Sequence, residues 1–162
     1  MKKAIVTKNA PAAIGPYSQA IEANGTLFVS GQIPLDPATG EFSADDIKGQ
    51  TTQVFRNIAA ILKEAGLGFE HVVQATVYLA DIADFAAMNE VYAEFFEAPY
   101  PARAAFQVAA LPKNAKARIK RSIRDEAQQS IRNKGKIRAG KECNRVQVAI
   151  CWFKKGASGY GF

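Results

Sequence analysis

The sequence holds one histidine, His71, and two cysteines, Cys143 and Cys151, eight positions apart. That set is too small for a tetrahedral zinc site and supplies no conventional Cys-His nucleophile. His71 stands where a strand begins, and reads as a structural or exposed residue rather than a catalytic one. A phosphate-binding loop of the Walker type is absent, and the glycines of residues 156–161 do not follow a strand-to-helix unit. Arg103 is the most informative residue, because in Pro101-Ala102-Arg103 a guanidinium enters a strand directly after a proline-fixed loop. Placed there, its planar fork can hold a carboxylate in a cleft. Taken alone, a single arginine in an acidic stretch is more often solvated or ion-paired than functional. The chemistry open to the chain rests on an arginine, hydroxyls, amides and backbone groups.

The elements that must position Arg103 follow from local pattern. Residues 26–34 read as a strand, stopped by the turn Asp36-Pro37-Ala38-Thr39-Gly40. A shorter strand at residues 18–23 joins it through the two-residue hairpin Asn24-Gly25. Ser43 with Asp46 three positions on resembles a capping box. Ile47, Val54, Ile58, Ile61, Leu62 and Ala65 then recur at helical spacing, and Gly66 is placed to end the helix. Residues 72–79 are β-branched and aromatic, as suits a central strand. Asp81 or Asp84 caps a second helix, whose stripe of Met88, Val91, Tyr92, Phe95 and Phe96 runs to about Glu97 before Pro99 and Pro101 end it. Residues 104–109 form another strand, and the alternating residues 115–120 complete an edge strand. The order β-β-α-β-α-β, with short strands at either end, predicts a two-layer α+β domain, a mixed sheet with two helices on one face.

Composition limits the function classes. A chain of 162 residues, 48% hydrophobic and 22% charged, has the makeup of one globular domain plus an appendage. Its longest apolar runs, such as residues 148–153, fall far short of the roughly 18 to 20 residues that cross a bilayer. Its start lacks the apolar stretch of roughly 7 to 15 residues of a secretory signal. The reading is a cytoplasmic protein with no membrane span. The net charge of +6 is unevenly spread: residues 1–112 carry seven Lys and Arg against twelve Asp and Glu, whereas residues 113–162 carry fourteen against three. All seven prolines lie at or before Pro112, and both cysteines and the single tryptophan lie after it.

Four stretches taken together carry more than any one of them. They are Gly15-Pro16-Tyr17-Ser18-Gln19-Ala20; Phe28-Val29-Ser30-Gly31-Gln32-Ile33-Pro34 with its following turn; Thr76-Val77-Tyr78-Leu79 with Asp84-Phe85 and Met88-Asn89; and Pro101-Ala102-Arg103 with Leu111-Pro112-Lys113. In order and spacing, from about residue 2 to about residue 116, the chain resembles the Rid family of reactive intermediate deaminases, also called the YjgF family. The resemblance implies a chorismate-mutase-like α+β fold and a homotrimer whose clefts lie between neighbouring subunits. It implies hydrolysis of 2-imino or 2-enamino acids, such as 2-iminobutanoate and 2-iminopropanoate, to 2-oxo acids and ammonia. By the same resemblance Arg103 grips the substrate carboxylate, and Tyr17, Ser30, Gly31 and Asn89 line the pocket. No metal or organic cofactor is implied, since an imine carbon is already electrophilic. Each carried-over residue also has a plainer reading. Tyr17 packs beside Pro16, Gly31 permits close backbone approach, Asn89 faces solvent, and Ser30 bonds neighbouring backbone.

The resemblance breaks at residues 117–121. The family closes with a strand of the form Val-Glu-Ile-Glu-Ala, whose first glutamate orients the attacking water. The aligned residues are Ala117-Arg118-Ile119-Lys120-Arg121, so Arg118 stands in the glutamate's place. A guanidinium is no general base near neutral pH, and activity below that of a normal member is expected. The chain is accordingly divided into a domain at residues 1–122 and a basic, atypical tail at residues 123–162, read as solvated or disordered. A shift of reading frame near codons 114–118 accounts for the coincident changes. The other account is a basic extension for RNA or another polyanion, with Trp152, Phe153, Tyr160 and Phe162 as the available stacking side chains.

Overall fold

The computed structural model of the chain describes residues 1–124; the rest of the basic tail, with Cys143, Cys151 and the four aromatic residues named above, lies outside the described residues. Three strands open the chain: β1 (Lys2–Ile5), β2 (Ala20–Ala23) and β3 (Thr26–Gln32). Asn24 and Gly25 both take positive φ, 53° and 69°, the geometry of a hairpin turn whose twist matches its strands. Helix α1 (Ile47–Glu64) follows, then β4 (Val72–Leu79), α2 (Phe85–Phe95), β5 (Ala102–Gln107) and β6 (Ala117–Arg124). The sheet order is β1-β2-β3-β6-β4-β5, with β4 and β5 parallel and the other neighbours antiparallel. This is the expected α+β mixed sheet with two helices.

Several of these assignments differ from expectation. The cap of α1 is Asp46, whose side chain accepts from the Gly49 backbone N–H; the helix starts four residues after Ser43, too late for Ser43 to cap it. Helix α2 ends at Phe95, as Phe96 is already extended. Strand β5 begins at Ala102, two residues early, because it pairs with β4 from Gln74↔Ala102 onward. The largest correction concerns β6, expected at an edge and found in the middle, bonded to both β3 and β4. At the other end of α1 the Gly66 and Leu67 N–H groups bond back to Lys63 and Leu62, and Gly66 takes φ 72°, the left-handed stop that glycine favours.

The core lies between the sheet and the two helices. Leu27, Val29, Ala75, Val77, Leu79, Ala117, Ile119 and Ile123 point from the sheet toward Val54, Phe55, Ile58, Ile61, Leu62 and Met88. Buried amides tie the loops to this frame. Gln19 accepts from the Thr7 N–H and donates to the carbonyls of Thr7, Ala10 and Pro11, while Asn57 donates to the Ile33 and Leu35 carbonyls. The opposite sheet face is uncovered by helices and exposes Phe28, Val73 and Phe106.

One core position breaks the apolar rule. Arg121, in register with Val29 and Ala75, is 1% exposed, and none of its guanidinium nitrogens has a hydrogen-bond partner. Its Cζ lies 4.8, 5.0 and 4.6 Å from the ring centres of Phe55, Phe69 and Phe96. Cation–π attraction offsets part of a desolvation cost of several kcal/mol. Burial pushes this guanidinium well below its ordinary value, to about 9, opposed by the nearby Tyr92. It therefore stays charged at neutral pH, and its cost is carried in full there. The folded state binds this proton less tightly than the unfolded state, so the cost lasts up to about pH 9 and eases as pH rises toward the unfolded value. Arg121→Met, which keeps the length and removes the charge, is expected to raise stability by about 1–4 kcal/mol in urea unfolding at pH 7. The gain should shrink above pH 9; an unchanged or lowered midpoint would show that the buried charge costs nothing.

Candidate functional site

Arg103 is the second residue of β5 and is in register with Ala75, which pairs in turn with Arg121. That parity sets it on the helix-bearing side of the sheet, at the outer strand beside α2. There its guanidinium donates to the Asn89 side-chain oxygen and lies 4.6 Å from the Tyr92 ring centre and 5.4 Å from that of Phe85. Asn89, Phe85 and Tyr92 occupy successive turns of one helix, so α2 presents a polar anchor and two ring faces to a single side chain. Arg103 remains exposed, and no carboxylate pairs with it among the described residues. Asn89 is the one hydrogen-bond partner of this guanidinium among the described residues.

Tyr17, Ser30, Gly31 and Arg118 form a second group. The Ser30 hydroxyl donates to the Ser18 carbonyl at 2.7 Å, and the Ser30 N–H donates to the Gln19 carbonyl at 2.9 Å; both lock the start of a bulge in the β3–β6 register. Gly31 lies in that bulge, and the Arg118 guanidinium lies against it. A Cβ added at Gly31 would fall 2.7 Å from Arg118 Cζ and 2.8 Å from Nη2. Tyr17 and Gly31 share a small hollow of about 30 Å³. Arg118 also lines a separate depression of about 330 Å³ with Tyr78, Leu111, Pro112 and Lys120.

Within one chain these groups do not meet. Arg118 pairs with Tyr78, and Tyr78 with Phe106, which puts Arg118 on the open sheet face. Arg103 has the opposite parity. The structure thus joins Arg103 to Asn89, joins Arg118 to Gly31 near Tyr17, and leaves the two sets apart. His71 sits in the one-turn helix Phe69–His71, where its Nδ1 accepts from the Gly68 N–H at 3.1 Å. Among the described residues no three His, Cys, Asp or Glu side chains converge.

Sequence reasoning missed Tyr92, counted there as one member of an apolar stripe. It stands between Arg103 and Arg121, and burial pushes its phenol above the ordinary value while both arginines oppose that shift. Its ring supports Arg103, yet its hydroxyl is buried without a partner. The available signal was a tyrosine hydroxyl within an otherwise apolar helix stripe.

Comparison with known proteins sets this geometry beside relatives. The family model described as Endoribonuclease L-PSP matches residues 7–124. A RutC family protein of Pyrococcus horikoshii is 58% identical over 114 residues, 70% of this chain and 90% of that protein. A goat protein named 2-iminobutanoate/2-iminopropanoate deaminase is 50% identical over 119 residues, 74% of this chain and 87% of its own length. A solved Rid protein family structure from Yersinia pestis, 45% identical, superposes with a TM-score of 0.75, covering 76% of this chain and 99% of that one.

Because the Tyr92 hydroxyl has no partner, Tyr92→Phe is expected to leave stability unchanged or raise it by about 1 kcal/mol in urea unfolding. A loss of that size would mean that the hydroxyl is bonded.

Proposed function

Because the chain belongs to the Rid family, also called YjgF, we propose that it hydrolyses 2-imino and 2-enamino acids such as 2-iminobutanoate and 2-iminopropanoate to 2-oxo acids and ammonia. One observation carries this reading: Arg103 is exposed, free of carboxylate partners among the described residues, and steadied by Asn89 and Tyr92. A guanidinium so fixed takes the substrate carboxylate as a two-point fork and orients the imine carbon. Protonation of the imine nitrogen makes that carbon an iminium electrophile. Water adds to C2, the proton it loses passes to nitrogen, and collapse of the aminoalcohol expels ammonia and leaves the 2-oxo acid. Tyr17, Ser30, Gly31 and Asn89 shape the pocket in this account.

The separation of Arg103 from Arg118 and Gly31 makes a second copy necessary, so that one subunit supplies Arg103 and its neighbour supplies the Gly31 side. Exposed Phe28, Val73 and Phe106 on the uncovered sheet face are suited to contact with that neighbour, and a homotrimer closes three such contacts. In the same reading the catalytic domain runs to the end of β6 at Arg124, two residues past the expected boundary because Ile123 belongs to the core, the residues after it are a basic tail, the protein works in the cytoplasm, and no metal or organic cofactor takes part. No helix among the described residues is long and apolar enough to cross a membrane. The reading-frame account of the tail is supported by Arg121, since a buried unpaired cation is what an unselected strand end would place there.

Arg118 cannot accept a proton from the attacking water, so turnover is slow. A purified threonine dehydratase generates the imine for the test. The wild-type chain is expected to hasten imine loss weakly, Arg103→Ala to abolish the effect, and Arg118→Glu to raise it by about 10² to 10⁴. If neither the wild type nor Arg118→Glu hastens the loss, the deaminase reading fails. Sedimentation should give a trimer, strengthened by salt if Arg118 and Lys120 repel across the clefts; a monomer at low and high salt would reject the assembly.

A further inference from the structure

Arg118 and Lys120 line the same depression of about 330 Å³, and no acidic side chain shares its wall. The buried Nε of Arg118 has no hydrogen-bond partner, so this guanidinium is desolvated on one edge and left uncompensated. Lys120 stands exposed two residues on along the same strand, on the same face, and forms no ion pair among the described residues. Two cations around a space at the lower end of small-molecule sites, with no acidic side chain in its wall, select a compact anion. The planar fork favours a carboxylate over a tetrahedral anion.

We propose that Arg118 and Lys120 give this site a preference for dianionic ligands, 2-imino or 2-oxo acids that carry a second carboxylate, which Arg118 receives. The inference rests on the reading in which Arg103 of a neighbouring copy holds the first carboxylate. The residue that removes the water-orienting glutamate thereby changes which substrates the cleft favours as well as how fast it turns them over.

Titration calorimetry of the full chain with 2-oxoglutarate, 2-oxobutanoate and inorganic phosphate tests the proposal. 2-Oxoglutarate should bind at least about tenfold more tightly than 2-oxobutanoate, the scale of one charge-assisted hydrogen-bonded pair. Arg118→Gln should bring the two affinities within about twofold of each other, and Arg118→Lys, which keeps the charge without the fork, should retain part of the gap. Matching circular dichroism spectra would show that the variants fold. Equal affinities in the wild type, a preference that survives Arg118→Gln, or phosphate binding as tightly as 2-oxoglutarate would each overturn the proposal. Arg103→Ala should weaken both oxo acids; if it weakens neither while the Arg118-dependent gap persists, the role of Arg103 fails and the preference stands.

Discussion

The structure depends on where β6 lies and on the parity of its side chains. A strand paired on both edges, in a sheet with one covered face, must send alternate residues into the dry layer under the helices. Ala117, Ile119 and Ile123 meet that demand, and Arg121 does not. A slip of one residue would bury Arg118, Lys120 and Ser122 together with either Lys116 or Arg124, exchanging one buried cation for three and adding an unpaired hydroxyl. The observed register is less costly than that alternative. It fixes Arg118 over Gly31 as firmly as it fixes Ile119 in the core.

The same constraint explains how the fold accommodates Arg121. Phe55 stacks on Phe95 and meets Phe69, Tyr92 and Phe96 edge-on, so the guanidinium enters a cluster of ring faces rather than aliphatic packing. Ring faces are the apolar surface best suited to a cation. They replace none of its hydrogen bonds, so part of the desolvation cost stays uncompensated. Arg103 meets Tyr92 from the outer side, so one tyrosine separates the buried cation from the exposed one.

Much of this was legible in the sequence. The Asn24-Gly25 hairpin, the stripe of α1 and its glycine stop are local features, written within a few residues of where they act. The place of β6 was not, because strand order is settled by long-range pairing, and alternating apolar and basic residues look like an edge strand in isolation. The cap at Asp46 was obscured by Ser43, which offers another side-chain oxygen acceptor three residues earlier. Arg103, Tyr17, Ser30, Gly31, Asn89 and Arg118 could each be singled out by motif. Their division between two faces of the sheet could not, since it follows from the register of β5 and β6 against β4.

That division carries the central claim, that one working cleft takes Arg103 from one copy and the Gly31 side from another. Mixing two inactive variants measures it directly. Arg103→Ala keeps the Tyr17, Gly31 and Arg118 group, and Tyr17→Ala keeps Arg103. After co-refolding in equal amounts, random assembly should restore about one cleft in four, and 2-oxobutanoate binding should reappear in that proportion. Binding no greater than the sum of the separate variants would contradict a cleft shared between copies.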